Sequence, residues 1–273
     1  VSETLTTLAP AGTLSPAFST CMTAPFLMAV CRPPGTIAAD EQAMISQWGA
    51  LHPLHDLTLV SLLDAGAPDP ADLDLARDYS GVIITGSPFG FGHHHQDPAP
   101  EQRRLTERVL RLAARLVAED VPTLGLCFGL QAIVLALGGT LRDDVGEDLQ
   151  APTMTVTEAG RRDPLTRNLT STFRAYVGHS QSVGELPGDG VVLATGRRCP
   201  IQMVRWGRHV YGTQFHPEIT TAGMRVRIEA YGDTYYPAAE RAAVLERCDS
   251  ADVTAANRLV TDFVERYRRP VGN

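Results

Sequence analysis

The sequence predicts an α/β fold: an open, mostly parallel, doubly wound sheet with flanking helices and a smaller strand-rich section. Two observations carry this. Residues 26–31 (FLMAVC), 82–85 (VIIT) and Thr123–Leu126 read as short strands, the first an unbroken apolar run that looks fully buried. They alternate with segments of helical period, clearest at residues 101–118, where Leu105, Val109, Leu112 and Leu116 form one stripe. Strands separated by helices pair in parallel, because a crossover helix is what returns the chain to the same sheet in the same direction.

Residues 1–24 are rich in Ser, Thr, Pro and Ala and lack periodicity, so a loose tail is expected there. Residues 25–273 are expected to form a single domain. The first strand, 26–31, is closed by Pro33-Pro34-Gly35; a helix follows at 38–48 and a second strand at 57–62. The third strand, 82–85, stops at Gly86-Ser87-Pro88 and leads into a loop, 89–100, that holds His93, His94 and His95. After the 101–118 helix, Thr123–Leu126 runs into Cys127 and a helix at 130–137 closed by Gly138-Gly139. The strand-rich section covers 153–157, 173–177, 191–195, 201–204 and Val210–Thr213. From about residue 220 the pattern turns helical, ending in a helix at 251–267 with Val253, Leu259, Val260, Phe263 and Val264 on one side.

Composition narrows the function. The chain has 273 residues and a formal charge of -7, and its densest basic run, Arg266-Tyr267-Arg268-Arg269, suits a solvated helix end, so no nucleic-acid partner is expected. No apolar run reaches 18 residues, so no membrane partner is expected either. The N-terminus has no basic segment of the secretory type. Five scattered cysteines without CxxC spacing argue against a disulfide framework or zinc site and fit a cytoplasmic location. The three consecutive histidines diverge too much to share one ion well, so no metal is expected there.

Gly125-Leu126-Cys127-Phe128-Gly129 lies between a strand and a helix, the arrangement of a nucleophile elbow. The helix start offers free N–H groups and a positive dipole end, which favour a thiolate and can hold an oxyanion. Taken alone, Cys127 reads equally as an inert buried cysteine. Gln214-Phe215-His216-Pro217-Glu218 supplies a base and an orienter, two residues apart and so able to point the same way in extended backbone. Seen alone, that pair reads as a surface His–Glu contact; seen with the elbow, it reads as the rest of a triad.

GLCFGLQ and QFHPE in this order, with ITGSP before them and His179-Ser180-Gln181 between, resemble class I glutamine amidotransferases over about residues 25–220. Within that family the chain is most similar to the amidotransferase domain of GMP synthases and its stand-alone relatives. The resemblance implies a flavodoxin-like fold and a glutaminase that cleaves the side-chain amide of glutamine through a cysteine thioester, with no cofactor. It implies Cys127 as nucleophile, His216 as base and acid, and Glu218 as orienter. It also implies backbone N–H groups of Ser87 and Phe128 as the oxyanion hole, and substrate contacts from Gly86, Gln131, Gly178, His179, Ser180 and Gln181. Two positions depart from the pattern: Gln181 stands where an acidic residue is usual, and Ser87 replaces a second glycine. No ATP-binding synthetase segment is recognised, so the ammonia goes either to a separate synthase subunit or to water.

Three other readings compete with this one. An α/β-hydrolase with a cysteine elbow would place its acid well before the histidine. A silent regulatory or binding subunit would have no need of the intact Cys127, His216 and Glu218. A hydrolase of γ-glutamyl peptides or amines, acting alone, stays open. The 89–100 loop, with Gly90 and Gly92, is expected to gate the cleft.

Overall fold

A computed structural model describes residues 23–91, 98–232 and 236–271. Residues 1–22, where most of the expected tail falls, and His93, His94 and His95 in the expected gate lie outside the described residues.

The chain builds β1 (Phe26–Val30), α1 (Thr36–Gly49), β2 (Leu57–Ser61), α2 (Leu75–Asp78), β3 (Gly81–Ile84), α3 (Pro100–Ala118), β4 (Thr123–Leu126) and α4 (Phe128–Ala136). Then come β5 (Leu141–Arg142), β6 (Glu147–Gln150), β7 (Thr153–Val156), α5 (Glu158–Arg162), β8 (Thr172–Arg174), β9 (Val177–His179) and β10 (Ser182–Val183). The rest is β11 (Val191–Gly196), β12 (Met203–Trp206), β13 (Val210–Thr213), α6 (Thr221–Tyr231), α7 (Arg241–Asp249) and α8 (Thr254–Tyr267).

Nine strands form one sheet in the order β2-β1-β3-β4-β13-β12-β11-β7-β8. The first five are mutually parallel and the last four continue antiparallel, so the strand-rich section extends the main sheet. The apolar runs explain why helices sit on both faces. In β1, Leu27 and Ala29 join the core under α3 and α4, while Phe26 and Met28 join the core under α1 and α8. In β3, Val82 and Ile84 face the first core and Ile83 the second. The predicted stripe of α3 is wholly buried at Leu105, Val109, Leu112 and Leu116. The C-terminal α8 contributes Leu259, Phe263 and Val264 to the second core.

Two expectations needed adjustment. The strand read at 173–177 is broken: β8 stays on the main sheet, while β9 leaves it to pair with β6. Between them, Tyr176 bridges to His216, which is what turns the second half toward the end of β13. The strand read at 201–204 begins two residues later, at Met203, beyond the hydrogen bond from Gln202 N to Ala194 O where the β11–β12 register shifts.

Candidate active site

β4 ends at Leu126, and Cys127 follows with φ 48 and ψ -90, one of three described non-glycine residues with positive φ. Such a conformation costs on the order of 1–3 kcal/mol and persists only where its surroundings enforce it. Here Cys127 N donates to Thr213 O at 2.6 Å, tying the elbow to the neighbouring β13, and Gln131 N donates to Cys127 O at 3.1 Å, starting α4. The flanking glycines are demanded by close approach: a Cβ on Gly129 would lie 2.8 Å from Ile84 O, and one on Gly125 2.8 Å from the Gly129 carbonyl carbon. The turn therefore presents the thiol at the C-terminal end of β4, beside the end of β13, at the head of α4.

β13 carries the second part. Gln214 N donates to Gln202 O and His216 N donates to Tyr176 O, both at 2.8 Å, which fixes the segment after the strand. Asn257, on α8, donates from Nδ2 to Pro217 O at 2.7 Å and Ile219 O at 2.9 Å, clamping the turn around Glu218. His216 Nδ1 meets Glu218 Oε1 at 2.7 Å, and His216 lines one cleft together with Cys127. Burial alone would lower the His216 pKa, but the Glu218 carboxylate and the contacts with Cys127 carry it up to about 10. Burial pushes Glu218 the other way, yet His216 and the more distant Arg227 hold its carboxyl below the usual range. Gly86 packs under the imidazole: a Cβ there would lie 2.9 Å from His216 Cε1.

Two clefts meet at Cys127, Ser87 and Gly178. One is lined by Phe128, Gln131, His179, Ser180 and Gln181. The other is lined by His216, Arg32, Arg227 and Tyr231.

The structure thus brings Cys127, His216 and Glu218 together, with Ser87 and Phe128 beside the thiol. Gln131, Gly178, His179, Ser180 and Gln181 form the wall of the first cleft. Several of their polar groups are already committed. Gln131 Nε2 donates to Gln181 O at 2.7 Å. Gln181 Nε2 donates to Asp143 Oδ1 at 3.0 Å, while its Oε1 accepts from Phe91 N at 2.9 Å. Phe91 also stacks on Phe128, centroids 4.2 Å apart, so the start of the 89–100 loop is pinned to the elbow. His179 sits between Gln181 O and Glu147 Oε2, at 3.0 and 3.1 Å. Gly86 lies outside the residues lining either cleft.

Sequence reasoning missed three contributors. Gln214 Nε2 donates to Cys127 Sγ at 3.4 Å, and its place inside the quoted QFHPE segment was the available signal. Glu147 accepts from Gln202 Nε2 at 2.7 Å as well as meeting His179, and nothing local marked it. Arg32, bonded through Nε and Nη2 to Glu41 at 2.9 and 3.0 Å, was likewise silent in the sequence.

Comparison with known proteins bears on the family and the fold. The family model described as "Glutamine amidotransferase class-I" matches residues 58–230. Among curated proteins, the GMP synthase [glutamine-hydrolyzing] of Cronobacter sakazakii is 26% identical over 201 residues, covering 71% of this chain and 34% of that protein. The Paraburkholderia phytofirmans protein of the same description is 27% identical over 217 residues, covering 76% and 36%. The chain therefore spans about a third of the length of these relatives. Among solved structures, a glutamine amidotransferase from Thermotoga maritima superposes with a TM-score of 0.69 at 19% identity, over 92% of this chain and 99% of the other. One from Methylobacillus flagellatus gives 0.66 at 18% identity, over 92% and 97%. At these identities the structural likeness speaks to the fold. Among the described residues, no helix is long and apolar enough to cross a membrane.

Proposed function

We propose, from the premise that this chain belongs to the class I glutamine amidotransferase family, that it hydrolyses the γ-amide of glutamine through a thioester on Cys127. The observation that carries the reading is the imidazole of His216, held by Glu218 at 2.7 Å and sharing a cleft with a thiol on a strained elbow.

Cys127 gives its thiol proton to His216, and Sγ attacks the γ-carbonyl carbon while backbone N–H groups of Ser87 and Phe128 receive the developing oxyanion. His216 passes that proton to the departing nitrogen, and ammonia leaves as the C–N bond breaks. A water molecule gives a proton to His216 and attacks the thioester; His216 returns the proton to sulfur as the C–S bond breaks, releasing glutamate and the free thiol. Glu218 keeps the ring oriented and favours its charged form. The glutamyl portion occupies the cleft of Gln131, Gly178, Ser180 and Gln181. The ammonia passes to a separate synthase subunit or is released to water; a cytoplasmic location is part of the same proposal.

Ammonia release from purified protein with glutamine tests this. Turnover that disappears in Cys127→Ala supports it, and undiminished turnover in that variant refutes it.

A further inference from the structure

We propose that Arg227 is a positioning residue of the triad: its guanidinium supports the Glu218 carboxylate from the side that His216 does not use, and so holds Glu218 as the partner of the imidazole. The inference rests on the glutaminase reading above and deepens it.

Glu218 creates the need. It is fully buried, and only one of its oxygens is engaged by a side chain: Oε1 meets His216 Nδ1 at 2.7 Å, whereas Oε2 is buried with no hydrogen-bond partner among the described residues. A carboxylate buried in this way tends to take up a proton unless a positive charge stands near it. Once protonated, it would no longer favour the charged imidazole through which both proton transfers run.

Arg227 answers it. Helix α6 starts at Thr221, three residues after Glu218, and Thr220 Oγ1 caps it by accepting from Gly223 N at 3.1 Å. The Arg227 side chain runs back along this helix toward its start, as helical side chains do: Nη1 donates to Gly223 O at 3.1 Å, one turn earlier, and to Asp40 Oδ2 on α1 at 2.8 Å. Its Nη2 is buried with no hydrogen-bond partner among the described residues, as Glu218 Oε2 is. A buried cationic donor and a buried anionic acceptor, both unpaired, each supply what the other lacks. The Arg227 charge acts on Glu218 and, with His216, holds the carboxyl below the usual range against the effect of burial. The other arginine of this cleft is already engaged: Arg32 donates to Glu41 at 2.9 and 3.0 Å and to Tyr231 Oη at 3.3 Å. The charged groups around Glu218 are thus His216 and Arg227, with Asp40 behind Arg227 and the Arg32–Glu41 pair beside the imidazole, against Gly86.

The test is a double-mutant cycle of Arg227→Gln with Glu218→Gln. It is read by kcat and KM on glutamine and, without substrate, by the rate of Cys127 alkylation with iodoacetamide, both across a range of pH. Arg227→Gln should lower kcat at pH 8 by about tenfold, with KM within about threefold of the parent. The deficit should deepen to about a hundredfold at pH 5, because without the guanidinium charge Glu218 takes up its proton at higher pH. In the Glu218→Gln background the same replacement should change either rate by less than about twofold, since no carboxylate is left to support. Arg227→Lys keeps the charge and should recover most of kcat and the acid side of the profile. Losses that multiply across the two backgrounds would overturn the proposal, as would a pH profile of Arg227→Gln parallel to that of the parent. Asp40→Asn separates the anchoring of α6 from the charge: it should lower stability to urea and leave the shape of the pH profile unchanged. A profile displaced as far as in Arg227→Gln would assign the effect to helix docking and overturn the proposal too. Should Arg227→Gln fail to fold, the Arg227→Lys cycle takes its place, with a loss of about threefold in the parent and none beside Glu218→Gln; equal losses would count against the proposal. A parent that is alkylated at Cys127 yet releases no ammonia would defeat the glutaminase reading alone, and the alkylation cycle would still decide the role of Arg227.

Discussion

Cys127, His216 and Glu218 have a counterpart of the same composition elsewhere in the molecule: Cys199, His179 and Glu147, whose donor atoms lie within 4.8 Å of one another. Both sets are buried, and both contain a histidine about 3 Å from a carboxylate. They differ in what the remaining atoms do. His216 gives one nitrogen to Glu218 and shares a cleft with a thiol, whereas His179 spends both nitrogens, on Glu147 and on Gln181 O. Cys127 heads a helix on a strained turn open to two clefts. Cys199 lies between β11 and β12 with its thiol directed at Ile201 O at 3.4 Å, and burial with the Glu147 charge pushes its pKa up to about 11. Residue types alone do not make a triad: it takes a free ring nitrogen and a thiol that substrate can reach.

The largest test of that contrast is deletion of each thiol. Cys127→Ala should lower glutamine turnover by about 10⁴-fold or more, while Cys199→Ala should stay within roughly threefold of the parent, since no ring nitrogen of His179 is free to serve it. Comparable losses in both variants would break the distinction.

Replacing the triad carboxylate is the next largest. Glu218→Gln should cost on the order of 10³-fold in kcat. It should also move the basic limb of the pH–rate profile. The Glu218 charge is among the effects that raise His216 to about 10, against a burial that lowers it. Without that charge the imidazolium loses its proton at lower pH, so activity should fall off at lower pH than in the parent. An unmoved limb would mean that Glu218 does not set the charge of His216.

Alkylation sharpens the comparison without mutation. At pH 8, a thiol of pKa about 11 is thiolate in roughly one molecule in a thousand, which applies to Cys199 and to Cys248, also raised to about 11 by burial. Brief iodoacetamide treatment followed by peptide mapping should label Cys127 and leave Cys199, Cys248 and the buried Cys31 unmodified until denaturant is added. Equal labelling of Cys199 would remove the difference in environment.

The smallest expected effect is Glu147→Ala. It leaves His179 Nε2 and Gln202 Nε2 without their shared acceptor, a loss of about 1–3 kcal/mol of stability. Urea unfolding should report that loss, whereas kcat on glutamine at saturation should change less than in Glu218→Gln.

Much of this was legible in the sequence where the signal is local. The elbow needed only a strand, two close glycines and a helix start, all within residues 123–136, and the structure adds the reason for the glycines in Ile84 O and the Gly129 backbone. His216 and Glu218 are two apart, so their 2.7 Å contact follows once the segment is extended and clamped. The Glu147–His179–Gln202 network was not legible, because its members come from three separate stretches and none carries a periodic pattern. The strand read at 173–177 failed for a related reason: its apolar content marks burial but does not say which partner strand each half will join.

By itself the sequence determined the alternation of strands and helices, the full burial of the first strand, and the Cys127 and His216–Glu218 elements, because each depends on residues within one turn or one strand. Tertiary structure decided what surrounds them. It placed Arg32 and Glu41 from the start of the chain, Arg227 from α6, and Asn257 from α8 around one imidazole and its cleft. Those neighbours are separated by up to 225 positions along the chain, from Arg32 to Asn257. Their meeting is set by how α1, α6 and α8 pack at the C-terminal ends of the parallel strands, and short-range sequence patterns carry no information about contacts at that separation.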